Sequence, residues 1–309
     1  MLSRVAEALY WMGRYVERAE DTSRLLEVRL QALLEDPWRD EARVCRGLLR
    51  TMGVEDPAAP TDMAGTTHRL VFSTADTSSI AGAITAAREN ARGVRETLSG
   101  EVWECLNATY HELGPHERSS VLFGPGRFLR YVRERSATLV GLIEGTMPKD
   151  DGWRFLVLGR SLERVDMTAR LLSAGLQDPG PSWVPLLKSC SAYEAYLRTY
   201  RTAPEPGRVV EFLLLDRLFP RSVFASLTQA EMCLTGLEPT TGRVGVQDAA
   251  SRLLGRRRTD LEFQDPGALV GNLADVLSDL QTTCATVGEA LTTKHFQAGH
   301  AVGWAVEAG

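Results

Sequence analysis

Residues 13–26 read Gly-Arg-Tyr-Val-Glu-Arg-Ala-Glu-Asp-Thr-Ser-Arg-Leu-Leu, and a closely similar stretch follows later in the chain. Residues 159–172 read Gly-Arg-Ser-Leu-Glu-Arg-Val-Asp-Met-Thr-Ala-Arg-Leu-Leu, so eight of the fourteen positions are identical at an offset of 146 (159 − 13). This repetition predicts two related halves, residues 1–148 and 149–309. We expect the halves to pack as one domain, with the two repeated stretches against each other.

Both stretches have the periodicity of a helix. Apolar and small side chains recur every three or four residues, in the first copy at Val16, Ala19, Ser23 and Leu26. The Arg and Glu side chains fall on the opposite face, because each residue turns the helix by about 100°. That face is either solvated, with ion pairs of about 0.2–0.5 kcal/mol along the helix, or an interface that binds a ligand. The recurrence of the same residue types at fixed places leaves both interpretations open.

The rest of the chain alternates helical periodicity with Pro/Gly turns, which predicts an all-α protein, a single helical-bundle domain. Loops or turns are expected at 53–65, 178–181 and 238–246, and a loose tail at 299–309. The apolar run 209–216 fits a strand or a buried helix, and we predict a helix because its surroundings are helical. The predicted helices are 3–34 with Ser3 as N-cap, 40–52, 68–98, 101–113, 128–144, the second repeated stretch, one carrying Tyr193 to Tyr200, 209–216, one from Ser222, 248–262 and 267–296.

Composition narrows the class of protein. The chain has 309 residues, is 44% hydrophobic and 24% charged, and carries a net charge of −5. These values are ordinary for a globular protein and argue against a nucleic-acid partner. Five scattered cysteines without a CxxC pair indicate a reducing compartment. There is no apolar signal core and no apolar run near eighteen residues, so we expect a cytoplasmic protein that does not enter a membrane.

Known cofactor and catalytic motifs do not occur in the sequence. There is no GxxxxGK[ST] or GxGxxG phosphate loop and no GxSxG elbow. None of the five histidines stands three residues after a Glu, as di-iron bundles require. Carboxylates three apart, such as Glu17 and Glu20, are flanked by arginines and are better suited to ion pairs than to Mg²⁺. We therefore expect no cofactor and no metal.

Two further groups of charged residues stand out. Arg88 and Arg92 follow one helical stripe and require facing carboxylates or an anionic ligand, and both possibilities remain open. Glu211 lies in an apolar run, where burial of its carboxylate would demand a cationic partner. Arg217 or Arg221 is close enough in sequence to supply it, and a repeat arginine that reaches Glu211 in space is a further candidate.

Four segments resemble the bacterial alpha-E family. They are residues 1–20, Met-Leu-Ser-Arg-Val-Ala-Glu-Ala-Leu-Tyr-Trp-Met-Gly-Arg-Tyr-Val-Glu-Arg-Ala-Glu, residues 87–92, Ala-Arg-Glu-Asn-Ala-Arg, residues 209–216, Val-Val-Glu-Phe-Leu-Leu-Leu-Asp, and residues 219–222, Phe-Pro-Arg-Ser. Asp21 departs from the family pattern, where Asn is expected. The resemblance implies an all-helical protein, usually encoded beside a circularly permuted ATP-grasp ligase and a transglutaminase-like protein. Such gene neighbourhoods are thought to make or modify peptides through amide bonds.

We expect an accessory or substrate-binding component of an ATP-grasp amidoligase system, with a peptide or amino-acid ligand. The repeated charged faces would converge on one shared polar groove. Two alternatives stay open: an enzyme in which Glu17 or Glu163 is the general base of aminoacyl transfer or amide hydrolysis, and a helical scaffold without chemistry. The residues expected to bind the substrate are Arg14, Arg18, Arg88, Arg92, Arg160, Arg164, Glu211 and Arg221.

Overall fold

A computed structural model describes residues 1–36, 38, 40–56, 58–176, 183–238 and 247–297. This part of the chain contains helices and no β-strand, which confirms the all-α prediction. The predicted turn at 178–181, nearly all of 238–246 and the tail at 299–309 lie outside the described residues. The helices are α1 (Ser3–Glu35), α2 (Glu41–Thr51), α3 (Met63–Val71), α4 (Ile80–Gly93), α5 (Gly100–His111), α6 (Leu113–Phe123), α7 (Gly126–Thr146), α8 (Asp151–Leu176), α9 (Trp183–Ser189), α10 (Tyr193–Tyr200), α11 (Pro206–Leu215), α12 (Val223–Leu237), α13 (Ala249–Glu262), α14 (Pro266–Leu269) and α15 (Leu273–Leu291).

The two repeated stretches lie on α1 and α8, which pack against each other at the centre of the fold. Their glycines mark the crossing. A Cβ on Gly13 would lie 3.0 Å from the carbonyl carbon of Leu156 and closer still to its oxygen. A Cβ on Gly159 would lie 2.9 Å from the carbonyl carbon of Tyr10. Both backbones therefore approach to a distance that only glycine permits.

The neighbours of this central pair are arranged similarly on its two sides. Helices α4 and α7 pack on α1, while α12 and α15 pack on α8. One continuous apolar core joins these layers. The descent of both halves from one ancestral segment remains a prediction.

Local signals explain where the observed helices differ from the predicted ones. The predicted helix 68–98 is wrong, because α3 ends at Val71 and α4 begins at Ile80. The intervening loop is rich in Ser, Thr and Asp, whose side chains satisfy its backbone groups in place of helical hydrogen bonds. Ser3 is the first residue of α1 and not its N-cap, which is Leu2. Residues Met63 to Gly65, predicted as loop, belong to α3, whose N-cap is Asp62.

No described helix combines the length and the apolar content needed to cross a bilayer.

Candidate functional site

The carboxylate of Glu163 on α8 is held by two arginines of α1. Arg14 donates from Nε to Oε2 at 2.6 Å, and Arg18 donates from Nε to Oε1 at 2.5 Å and from Nη2 to Oε2 at 3.0 Å. The third nitrogen of Arg18, Nη1, donates to the hydroxyl of Thr77 at 3.2 Å. Glu163 is only 2% exposed. This group of charges, the Glu163 cluster, joins α1, α8 and the loop before α4.

The carboxylate of Glu17 on α1 is held in the same way by an arginine of α8. Arg164 donates from Nε to Oε1 at 2.7 Å and from Nη2 to Oε2 at 2.9 Å. Arg221, from the loop before α12, adds an ion pair to Oε1 at 2.9 Å and also donates to Glu20 and Asp21. Glu17 is fully buried. We call this second group the Glu17 cluster.

These contacts correct the expectation of a solvated face or one shared groove. The repeated helices do meet, and Glu17 and Glu163 pair across the helix crossing. Within the repeated stretches Glu20 and Asp166 pair along their own helices, with Arg24 and Arg170. The hydrogen bonds of Glu17 and Glu163 share no arginine, so the charges form two separate clusters. Buried charges are tolerated when they are paired and hydrogen-bonded, and both clusters meet that condition.

The pKa values of both glutamates lie below that of an ordinary glutamate. Burial would raise the pKa of each, but the charges of Arg164 and Arg221 outweigh it at Glu17 and lower that pKa to about 2. At Glu163 burial is outweighed by Arg18 and Arg14, and the pKa again falls to about 2. A general base works best with a pKa near the operating pH. The geometry therefore argues against Glu17 and Glu163 as general bases.

Asp21 differs from its two neighbours. Its hydrogen-bonding arginine, Arg221, is shared with Glu17 and Glu20. Burial raises the pKa of Asp21 to about 8, and the negative charges of both glutamates add to the effect against the opposing charge of Arg221. Within the Glu17 cluster the pKa of Asp21 is therefore raised, while that of Glu17 is lowered.

A polar cleft of about 470 Å³ opens beside the Glu163 cluster. The loop before α4 contributes Asp76, Thr77 and Ser78, and the turn after α2 contributes Gly53 and neighbouring residues. Its three arginines each pair with a carboxylate that also lines the cleft. These pairs are Arg18–Glu163, Arg69–Asp76 and Arg170–Asp166. The volume lies within the range of small-ligand pockets.

The predicted residue Arg160 does not reach Glu17. Its Nη2 donates to Glu144 at 3.3 Å, and its Nη1 is buried without a hydrogen-bond partner. Burial, and then the positive charge of Arg164, lowers the pKa of Arg160. The second arginine beside Glu17 is Arg221, which contacts Oε1, whereas Arg14 contacts Oε2 of Glu163.

Two other predicted site residues, Arg88 and Arg92, lie away from both clusters. Arg88 and Arg92 pair with Glu89 on their own helix, and Arg88 also lies over the rings of Trp103 and Tyr110. The expectation that they bind substrate beside the repeated helices is therefore not supported by their position.

Glu211 is half-buried on α11, and no arginine pairs with it among the described residues. The predicted pairing with Arg217 or Arg221 is wrong, because Arg217 pairs with Glu262 and Arg221 joins the Glu17 cluster. The carboxylate of Glu211 instead adds to burial in raising the pKa of Tyr200 to about 12.

Sequence reasoning missed the loop before α4 as part of the site. Asp76, Thr77 and Ser78 were assigned to a continuous helix, although Ser73-Thr74-Ala75-Asp76-Thr77-Ser78-Ser79 is a run of turn-forming residues. That run was the signal available. Within the described ranges no three His, Cys, Asp or Glu side chains are grouped as metal ligands.

The repeated Glu-Arg pair, Glu17-Arg18 and Glu163-Arg164, organises both clusters. A family model described as a predicted alpha-helical domain with a conserved ER motif matches residues 1–296. The chain belongs to the Alpha-E family. In this Alpha-E chain each ER pair supplies a buried carboxylate to the opposite helix and an arginine that holds the opposite carboxylate.

Curated relatives of this Alpha-E chain include uncharacterised proteins of Mycobacterium bovis and Mycobacterium tuberculosis. Each is 26% identical over 323 aligned residues, which cover 94% of this chain and 36% of the relative. The chain thus spans little more than a third of the length of the curated relatives that it matches. No solved structure matches the Alpha-E chain.

Proposed function

We propose that this Alpha-E chain is the substrate-binding, accessory component of an ATP-grasp amidoligase system that makes or modifies peptides. The substrate, a peptide or amino acid, would bind in the cleft beside the Glu163 cluster. A transglutaminase-like protein is a second candidate partner. The proposed location is the cytoplasm, where the ligase has access to ATP.

One observation carries this proposal: the cleft is open and polar, and one of its walls is fixed by the buried Glu163 carboxylate and its arginines. Arg18 and Glu163 form one wall and are fixed by hydrogen bonds on both sides. Prearranged walls lower the entropic cost of binding a flexible ligand such as a peptide. The cleft therefore suits a binding role.

The chemistry of the charged groups favours binding over catalysis. Arg18 uses all three guanidinium nitrogens within the protein, so it is better suited to fixing a wall than to stabilising a reacting anion. The lowered pKa values of Glu17 and Glu163 leave neither glutamate suited to accept a proton at neutral pH.

The length of the relatives supports a role alongside other protein segments. In the mycobacterial relatives the matching segment is 36% of a longer polypeptide. A family domain found in such a context is expected to act with its neighbours.

The test is a reconstitution with an ATP-grasp ligase, which the family resemblance predicts to be encoded beside the gene. We expect the two proteins to co-purify, and the chain to lower the KM for the peptide acceptor in an assay of ATP-dependent phosphate release. The chain alone should show no turnover. A ligase with the same KM and kcat with and without the chain would contradict the accessory role and favour the scaffold. Turnover by the chain alone, lost in Glu163→Gln but retained in the exposed control Glu101→Gln, would favour the enzyme.

A further inference from the structure

The loops before α4 and α12 are built alike. Ser79 and Ser222 are the N-caps of these helices. Each serine hydroxyl also donates to a backbone carbonyl six residues earlier, that of Ser73 in one loop and that of Asp216 in the other. The two loops therefore have matching ends at matching distances from their caps.

Each loop is also held by the arginine of an ER pair. Arg18 Nη1 lies 3.5 Å from the backbone oxygen of Thr77, and Arg164 Nη1 donates to the backbone oxygen of Pro220 at 3.1 Å. Thr77 and Pro220 both stand two residues before the capping serine. The residues that follow them, Ser78 and Arg221, therefore occupy corresponding places.

The corresponding places are filled differently. In the loop before α12 the guanidinium of Arg221 enters the Glu17 cluster and contacts Glu17, Glu20 and Asp21. In the loop before α4 the short side chain of Ser78 borders the open cleft. Arg221 therefore fills the space beside Glu17, whereas Ser78 leaves the corresponding space beside Glu163 open.

The cleft has counterparts of two of the three carboxylates that contact Arg221, and Met167 stands in place of the third, Asp21. Glu163 and Asp166 stand 146 residues after Glu17 and Glu20 (163 − 17 and 166 − 20), and both line the cleft. Asp166 pairs with Arg170 from its own helix, as Glu20 pairs with Arg24. Burial raises the pKa of Asp166, and Arg170 only partly opposes it.

The charge of the cleft is negative. Five carboxylates and three arginines line the cleft, and Arg14 adds a fourth positive charge beside Glu163, so one negative charge is in excess. Neither Glu55 nor Asp56 has an ion-pair partner among the described residues. A cation entering the cleft would therefore meet unmatched negative charge, whereas an anion would be repelled.

We infer that the cleft binds a guanidinium group of the substrate, such as an arginine side chain, in the place that Arg221 fills on the other side of the molecule. Guanidinium is favoured over ammonium because its planar donors match carboxylates in pairs, as Arg221 and Arg164 do around Glu17. That the ligand is a substrate rests on the proposed function. That the ligand carries a guanidinium rests on the comparison of the two loops.

The test is a calorimetric titration of the full chain with three amino-acid amides. The side chain of L-argininamide carries the guanidinium, that of L-lysinamide an ammonium, and that of L-citrullinamide an isosteric but neutral ureido group. We expect argininamide to bind at least about tenfold more tightly than either of the others, because losing a hydrogen bond to a charged group costs a factor of this size or more.

A substitution that copies the filled side tests the location. Ser78→Arg should carry its own guanidinium into the cleft and weaken the binding of argininamide at least about tenfold. The matched control Ser278→Arg adds the same charge at an exposed position of α15 and should leave affinity unchanged. The double variant Glu55→Gln/Asp56→Asn alters exposed residues, so it should fold and bind argininamide several-fold more weakly.

Each contrary outcome overturns the inference. Equal binding of citrullinamide or lysinamide would contradict a guanidinium site, and so would no binding of argininamide. Full affinity in both Ser78→Arg and the double variant would place the ligand elsewhere. The proposed function fails separately: it fails if the ligase is indifferent to the chain although argininamide binds as expected. If the chain lowers the KM of the ligase but does not bind argininamide, only the guanidinium assignment fails.

Discussion

A methyl group at the crossing of α1 and α8 should destabilise the protein markedly. Gly13→Ala places a Cβ 3.0 Å from the carbonyl carbon of Leu156 and 3.1 Å from the backbone nitrogen of Arg160. These neighbours are backbone atoms of a helix and cannot rotate away. The helices must therefore separate by about 1 Å to restore ordinary contact distances of about 3.5–4.0 Å.

The cost follows from the contacts that this separation weakens. A 1 Å gap forfeits up to about half of each dispersion contact, and about 50 atom pairs of about 0.15 kcal/mol each then lose up to about 4 kcal/mol. Replacing glycine by alanine inside a helix returns about 1 kcal/mol. Lengthened ion pairs in both clusters add to the loss, so we expect a net destabilisation of about 3 kcal/mol, at the upper end of the usual range for overpacking.

The assay is urea unfolding followed by circular dichroism, with the free energy of unfolding extrapolated to water. Gly159→Ala should cost about as much as Gly13→Ala, because its contacts are the same in reverse. The double variant should cost less than the sum, since one separation relieves both clashes. The control is Gly141→Ala in α7, where a Cβ meets open space and should stabilise the protein by up to about 1 kcal/mol. If Gly13→Ala is as stable as the parent chain, the close crossing of the helices is refuted.

Three further predictions concern titratable groups. Glu163→Gln leaves two buried guanidiniums without a carboxylate and should lower the free energy of unfolding by about 3–5 kcal/mol. The exposed control Glu101→Gln should change it by less than about 0.5 kcal/mol. Equal effects of the two substitutions in urea unfolding would contradict the buried pairing. Because the pKa of Glu163 is lowered from 4.5 to about 2, its stabilisation is complete above about pH 5 and is lost as the pH falls towards 2. Between about pH 5 and pH 2, Glu163→Gln should therefore lose less stability than the parent chain. Because the pKa of Asp21 is raised from 3.8 to about 8, its contribution to stability falls as the pH rises from about 4 to about 8. Asp21→Asn should remove this fall and raise the free energy of unfolding at pH 8 by at least about 1 kcal/mol. An unchanged dependence of stability on pH in this variant would count against the shifted pKa. Burial raises the pKa of Cys190 to about 12 and all five cysteines are buried, so the native chain should not react with a thiol-specific disulfide reagent within minutes, while the unfolded chain should consume five equivalents.

The helical class and the central helix pair follow from the sequence because their causes are local. The three- and four-residue spacing on α1 specifies a helix, and α1 begins at Ser3 and ends at Glu35, within a residue or two of the predicted bounds. The choice of helix for residues 209–216 was also correct, since α11 spans Pro206–Leu215.

The arrangement of the charges could not be predicted in the same way. A helix face rich in Arg and Glu has the same periodicity whether it meets water or another helix. Whether Glu17 is buried depends on Arg164 and Arg221, which are far away in the chain. The cleft was missed for a similar reason, because it exists where Ser78 is smaller than the residue in the corresponding loop. This difference becomes visible only when the contacts of the two loops are compared in three dimensions.

The exchange of charges between α1 and α8 has an evolutionary consequence. The carboxylate of each helix is neutralised by arginines of the other, so a change at one position strands a charge on the opposite helix. Single substitutions in the ER pairs are therefore penalised, while residues elsewhere on the same helices can drift. This interdependence accounts for the identity of Glu17 with Glu163 and of Arg18 with Arg164 in two segments whose surroundings differ.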